Sequence, residues 1–350
     1  MTDRMAARSG VVPARPAAGG GAATPSFELP AGAPAGIPGP PRPTRIGRRE
    51  FVWGRRTYVM GILNVTPDSF SGDGLLADDR GHVARSVELA HRMAEEGADL
   101  LDVGGESSRP GHVAVPAAEE IARVVPVIAA VRAALPDMAL SIDTTKADVA
   151  AAALDAGADL VNDVWGVGPD DGLLLLAAER GAPIVLMHNR AEARYVNLMP
   201  EIVADLQTAI ERALRAGVAW DSIIVDPGFG FGKTAAHNLV LLRELAVIGT
   251  LGRPVLLGTS RKSTLGKVLD LPADERLEAT LATTALGVAA GVDIVRVHDV
   301  RPNVRAARMA DAIVRAEGGR DEPAGRPDPA GRAGPAGRAG PAGGVTGDGS

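Results

Sequence analysis

The chain has 350 residues, a formal net charge of −6 and no cysteine, which excludes disulfides and thiolate metal sites and accords with a reducing compartment. No apolar run of signal-peptide length follows Asp3, Arg4 and Arg8, and no segment approaches the roughly 18 apolar residues of a membrane span. These features predict a cytoplasmic protein without a membrane partner.

The two ends cannot pack. The first 50 residues hold seven Arg against three acids and are rich in Ala, Gly and Pro; the last 34 hold four Arg against five acids. Such composition offers little apolar area to offset the cost of ordering the chain. We read residues 1–46 as a disordered Pro/Ala/Gly-rich arm, 47–317 as one folded domain and 318–350 as a disordered tail. Gly331, Gly334, Gly337, Gly340 and Gly343 recur with the collagen period, but five triplets are too few for a triple helix. Phe51 to Ala316 spans 266 residues, the size of a single β/α barrel, with a charge near −9. An acidic body argues against a nucleic-acid partner.

From Thr57 onward short apolar runs alternate with stretches of helical period, the pattern of parallel strands joined by crossover helices. The first apolar flank, Phe51-Val52-Trp53, faces Arg56-Thr57-Tyr58 across Gly54-Arg55, which predicts a β-hairpin able to plug the barrel bottom. Eight strands follow: Tyr58 to Leu63, Asp99 to Val103, Ala139 to Ile142, Asp159 to Val161, Pro183 to Leu186, Ser222 to Val225, Val255 to Leu257 and Asp293 to Val295. Predicted helices include Val83 to Glu95, Ile121 to Ala134, Ile202 to Ala216 and Leu277 to Ala290. The expected fold is α/β, a TIM (β/α)8 barrel with an N-terminal hairpin. Glu-Gly-Ala-Asp at 96–99, Ala-Gly-Ala-Asp at 156–159 and Gly-Val-Asp at 291–293 stand between helix and strand and read as helix stops. Asp99, Asp159 and Asp293 therefore belong to the stability face of the barrel and receive no catalytic role.

The opposite strand ends are polar. Strand one runs into Asn64, strand two closes near Asp102, strand three ends on Asp143, strand four on Asn162-Asp163, strand five on His188-Asn189, and strand six on Asp226. Strand seven gives Ser260-Arg261-Lys262-Ser263 and strand eight Arg296-Val297-His298. Any one of these has a bland explanation as a helix cap or a solvated charge. Eight in succession do not, and catalytic groups of these barrels project from this face. His82, His91, His112 and His237 fall away from it and read as surface residues. Gly228-Phe229-Gly230-Phe231-Gly232-Lys233-Thr234 resembles a P-loop only at its end, because Pro227 stands where that motif needs Gly; Lys233 likewise breaks Gly-x-Gly-x-x-Gly.

Carboxylates at Asp102, Asp143 and Asp226 with the amide of Asn162 suit the edge of a flat heterocycle carrying adjacent N–H and amino groups, a pteridine or guanine edge. Lys262, Arg296 and His298 come from the last two strands, the corner where barrels commonly bind phosphate. Asn64 offers a neutral oxygen to Mg2+ on a diphosphate.

Met60 to Phe70, Asp102 to Gly111, Ser141 to Lys146, Asn162 to Gly166, Met187 to Asn189, Asp226 to Thr234, Ser260 to Lys262 and Arg296 to Val300 resemble the successive motifs of the dihydropteroate synthase family. The resemblance spans the barrel and leaves both tails outside. It implies condensation of 6-hydroxymethyl-7,8-dihydropterin diphosphate with p-aminobenzoate. It also implies Asp143, Asn162, Asp226 and Lys262 on the pterin, and Asn64, Ser108, Arg296 and His298 on the diphosphate, with Mg2+ on Asn64. Phe70, Arg109 and Ser263 would complete the p-aminobenzoate pocket, where sulfonamides compete, and a homodimer is implied. The first loop departs from the family: Ser71-Gly72-Asp73-Gly74 replaces the commoner Ser-Asp-Gly-Gly, displacing the acid by one position. A pterin-dependent methyltransferase shares the carboxylates but handles no diphosphate, and Lys262, Arg296 and His298 argue against it. A non-catalytic pterin-binding paralogue stays open as the alternative.

Overall fold

In the computed structural model of the chain, residues 40–65, 79–106 and 115–315 are described. A two-stranded antiparallel hairpin, β1 (Thr44–Ile46) and β2 (Arg49–Phe51), precedes eight parallel strands. These are β3 (Tyr58–Asn64), β4 (Leu100–Gly104), β5 (Ala139–Asp143), β6 (Leu160–Asp163), β7 (Ile184–Met187), β8 (Ile223–Asp226), β9 (Leu256–Leu257) and β10 (Ile294–Val297). Each pairs in parallel with its sequence neighbour through β8, and β10 pairs with both β9 and β3. The ring closes where Val225 bridges Val255 and its N–H donates to the Pro254 carbonyl at 2.9 Å. The predicted barrel is present, with all eight strands within two residues of their expected positions.

The crossovers are α1 (Asp79–Glu96), α2 (Ala117–Ala134), α3 (Ala147–Asp155), α4 (Gly172–Arg180), α5 (Leu198–Ala216), α6 (Ala235–Arg243), α7 (Ser263–Leu269) and α8 (Leu277–Ala289), with α9 (Val300–Val314) after the last strand. Their apolar periodicity decides which face turns inward. In α5 the buried positions are Met199, Ile202, Leu206, Ala209, Ile210 and Ala213, one stripe at three- and four-residue steps. Truncating Leu206 to Ala would cost about 2–5 kcal/mol by the usual scale for a packed leucine. The predicted helix stops hold: Gly97, Gly157 and Gly291 have φ of 101°, 112° and 91°, the left-handed conformation that lets the chain leave a helix.

The bottom of the barrel is sealed by a second core. Met60, Leu100, Ala139, Leu160, Val185, Ile224, Leu256 and Ile294, one from each strand, point inward and meet Ile46, Phe51, Trp53 and Tyr58. The three aromatic rings stand 4.7–5.8 Å apart, between centroids, in tilted, stacked and edge arrangements.

This plug corrects two expectations. The hairpin turns at Gly47-Arg48 rather than at Gly54-Arg55, and Thr44–Ile46, assigned to the arm, form a strand whose Ile46 is fully buried. The reason is competition for backbone partners. Around Gly54-Arg55 the N–H of Val52 donates to the Tyr58 hydroxyl (2.8 Å), that of Gly54 to Asp293 (3.2 Å) and that of Thr57 to Asp311 (2.8 Å), so the two flanks do not pair with each other. At the observed turn Gly47 has φ 59°, and a Cβ there would lie 2.6 Å from the Asp159 carboxylate.

The strand-start acids behave as the helix-stop reading requires. Asp99 accepts from the Val59 N–H (2.9 Å) and from both Arg56 guanidinium arms (2.7 and 3.0 Å). Asp159 accepts from the Leu140 N–H (2.9 Å) and from Arg132, and Asp293 from the Val255 N–H (3.0 Å). Each acid hooks a neighbouring strand.

Candidate active site

Side chains alternate across a strand, so residues two and four beyond an inward-facing plug residue must also face the barrel axis. Two beyond Leu100, Leu160, Ile224 and Ile294 stand Asp102, Asn162, Asp226 and Arg296; four beyond Met60, Ala139 and Ile294 stand Asn64, Asp143 and His298. The same pleat that builds an apolar floor therefore delivers a polar mouth. Asp102 is completely buried, and Asp143, Asn162 and Asp226 are 8% exposed or less.

The acids and the cations share one network. The Nε of Arg296 donates to Asp102 Oδ2 at 2.5 Å, and its Nη2 to Asp143 Oδ2 at 2.6 Å. Asn162 Nδ2 donates to the same Asp102 oxygen at 2.9 Å. Arg296 is thus interposed between two carboxylates expected to serve the heterocycle, rather than standing apart among the cations. Asp102 Oδ1 and Ser141 Oγ are buried and have no hydrogen-bond partner among the described residues. Unmet buried acceptors are costly unless a ligand satisfies them.

Lys262, the residue before α7, donates to the Phe229 carbonyl, and its Nζ lies 4.3 Å from the centre of the Phe231 ring. Lys262 and Arg296 converge over Gly258: a Cβ there would lie 3.9 Å from Lys262 Nζ and 3.7 Å from Arg296 Cβ. His298 Nδ1 lies 3.0 Å from the Ser260 hydroxyl, which also accepts the His298 N–H at 3.1 Å. Ser263 opens α7 and is exposed. Asp226 Oδ1 accepts the Gly228 N–H at 2.7 Å.

Burial dominates the electrostatics. It pushes the Asp143 carboxyl up to about 7 against the opposing pull of Arg296, with the Asp102 charge adding to the rise. Asp226 is raised for the same reason against Lys262. Burial pulls the Lys262 ammonium down to about 8, although Asp226 resists. Burial also works against the Arg296 charge, but Asp102 and Asp143 overcome it and raise its pKa.

Phe70, Ser108, Arg109 and Asp73 lie outside the described residues. Of the histidines set aside, His237 is half-buried and forms a capping box with Thr234 at the start of α6: Thr234 Oγ1 accepts the His237 N–H at 3.1 Å, and His237 Nδ1 accepts the Thr234 N–H at 3.4 Å. His112 is outside the described residues.

Two groups that strand-end reasoning passed over lie against the rim. Lys146 bridges Glu106 and Glu120 Oε2, the latter at 2.7 Å. Lys233 reaches His188 Nδ1 at 2.8 Å and accepts no role in the P-loop sense. Both lysines were visible within long motifs, but nothing local says which acceptors they meet.

A barrel whose mouth gathers buried acids, an amide and cations is the scaffold of an enzyme that binds a flat nitrogen heterocycle, and the comparisons agree. Residues 60–298 match the family described as "Pterin binding enzyme". The dihydropteroate synthase of Clostridium beijerinckii is 50% identical over 272 residues, covering 77% of this chain and 99% of that protein. A Clostridium difficile dihydropteroate synthase solved in the presence of pteroic acid superposes with TM-score 0.72 at 48% identity, covering 76% of this chain and all of that one. The Xanthomonas albilineans dihydropteroate synthase with 4-aminobenzoic acid gives TM-score 0.73 at 40% identity, over 78% of this chain and 98% of that one. The chain belongs to the dihydropteroate synthase family of pterin-binding enzymes.

Proposed function

We propose that the chain condenses 6-hydroxymethyl-7,8-dihydropterin diphosphate with p-aminobenzoate, releasing 7,8-dihydropteroate and diphosphate. The observation that carries this reading is the pair of buried, unmet polar atoms, Asp102 Oδ1 and Ser141 Oγ, set in a carboxylate-lined mouth beside Arg296 and Lys262, on a barrel whose relatives bear the name of this reaction.

The chemistry follows from charge. The bond between the pterin methylene carbon and the diphosphate oxygen breaks, the amine lone pair forms the C–N bond, and one amine proton passes to water. Arg296 and His298 offset the negative charge gathering on the leaving diphosphate. Asp143 and Asp226 hold the ring edge and stabilise positive charge on the pterin. The aromatic amine is neutral near pH 7, so no strong base is required.

The residues also fit a divalent cation at the diphosphate. A Cβ on Gly104 would lie 3.9 Å from Asn64 Oδ1 and 3.8 Å from Asp143 Oδ2, so both oxygens border this glycine; Asp143 Oδ2 is already taken by Arg296, which leaves Asn64 Oδ1 as the oxygen for a cation. Among the described residues no group of three or more His, Cys, Asp or Glu is placed to hold a metal. Mg2+ keeps most of its waters and takes one or two protein oxygens with substrate phosphate. Asn64 would hold it, and when bound it supplies positive charge to the departing oxygens.

The fold carries no helix, among the described residues, long and apolar enough to cross a membrane. The homodimer that the family resemblance implies is testable by sedimentation. A sulfonamide is expected to compete with the aromatic amine.

The decisive experiment mixes purified chain, Mg2+ and both substrates and follows dihydropteroate. No product, with intact binding of the pterin diphosphate, would replace this reading by a non-catalytic pterin-binding protein.

A further inference from the structure

The glycine-rich segment after β8, residues 227–232, has no ladder to satisfy its backbone, so its carbonyls need partners from elsewhere. Lys233 supplies two of them. Its Nζ donates to the Gly228 carbonyl at 3.0 Å and the Phe231 carbonyl at 3.1 Å, and lies 2.8 Å from His188 Nδ1. In its charged form the three N–H bonds match these three acceptors, while burial pulls the ammonium down to about 7. His188 is wholly buried, and its Nε2 stands 3.1 Å from Asp205 Oδ2. Asp205 also accepts two bonds from Arg190, at 3.0 and 2.7 Å; as an acceptor it takes a hydrogen bond from the Nε2–H of a neutral imidazole, which leaves the Nδ1 lone pair toward Lys233. The approach is close enough to demand glycine: a Cβ on Gly228 would fall 1.7 Å from the His188 carbonyl oxygen.

Both tethered peptides lead to the rim. Gly228, held by its carbonyl, donates its N–H to Asp226 Oδ1. Phe231, held by its carbonyl, presents its ring to the Lys262 ammonium. We infer that Lys233 is a positioning residue for the condensation, clamping the glycine-rich segment from behind so that Asp226 and the Phe231–Lys262 pair stay aimed at the substrates. The inference rests on the function proposed above.

The test uses the full chain with Lys233→Met, which keeps the stem and removes all three donors, and Lys233→Gln, which keeps two N–H bonds. Steady-state kinetics in both substrates are read beside circular dichroism, thermal melting and hydrogen exchange. For Lys233→Met the expected outcome is a folded protein with kcat lowered about 10- to 100-fold, the scale of a displaced active-site group. Exchange should quicken in the peptide spanning residues 227–234 and stay unchanged at the barrel floor. Lys233→Gln should recover part of kcat. An inactive wild type overturns the proposed function itself. An active wild type whose folded variants keep kcat, or lose melting temperature alone, overturns the role of Lys233 while leaving the function standing. Failure of both variants to fold assigns Lys233 to stability and overturns it equally.

Discussion

The barrel places aspartates at both ends of its strands, and the two sets differ in what surrounds them. At the floor, Asp99 and Asp159 each meet a neighbouring strand's N–H and an arginine, and both oxygens of Asp293 accept backbone N–H groups. At the mouth, Asp102 and Asp143 share the single guanidinium of Arg296, and Asp102 keeps one oxygen without a partner among the described residues. What separates Asp102 from the floor acids is the unmet oxygen it carries rather than its burial. The floor acids have their partners built in and stabilise the fold; at the mouth Asp102 is left underpaired, a cost that a ligand would remove.

The largest effect that would break this contrast is expected at Asp226. Asp226→Ala should abolish binding of the pterin diphosphate in an equilibrium titration, because two charge-assisted bonds of about 1.5–3 kcal/mol each disappear. Measurable binding near the wild-type value would mean that the mouth acids do not hold the heterocycle.

Arg296→Ala should slow turnover by about 100-fold, the scale of one lost leaving-group donor. Because Arg296 also neutralises Asp102 and Asp143, the same variant should lower the melting temperature, more at pH 8 than at pH 6. The sign follows from Asp143, whose carboxyl burial pushes up to about 7 even with Arg296 beside it: at pH 6 it is largely protonated with or without the arginine, whereas at pH 8 the wild type gains from the Arg296–Asp143 pairing that the variant lacks. An equal loss at both pH values would separate Arg296 from the acids.

A smaller effect, about tenfold per pH unit beyond each limit, is expected in wild-type kcat/KM. Rate should fall below about pH 7 as the Asp143 carboxylate, raised by burial, is protonated. It should fall again above about pH 8 as the Lys262 ammonium, lowered by burial, loses its proton. A profile flat from pH 6 to 9 would remove both groups from the mechanism.

The least effect on rate belongs to the floor. Asp159→Ala should cost about 1–3 kcal/mol in urea unfolding, since Arg132 and the Leu140 N–H lose their acceptor, while kcat and KM stay within about twofold. A large kinetic change there would erase the distinction between the two ends.

Strand order, the eight-unit count and the floor roles of Asp99, Asp159 and Asp293 were legible in the sequence, because apolar runs, helix stops and the two-residue pleat are local signals. So were the rim positions Asp102, Asp143, Asn162, Asp226 and Arg296, which the pleat turns to the barrel axis. Three things waited for the tertiary structure. The hairpin slid to Gly47-Arg48 because backbone groups near Gly54 found side-chain partners on distant elements. Arg296 joined Asp102, 194 positions away, across the barrel mouth. Lys233 met His188, 45 positions earlier, behind the glycine-rich segment. Periodicity states which way a side chain points; which partner it meets depends on how the ring closes, and that closure brings together residues that no local pattern connects.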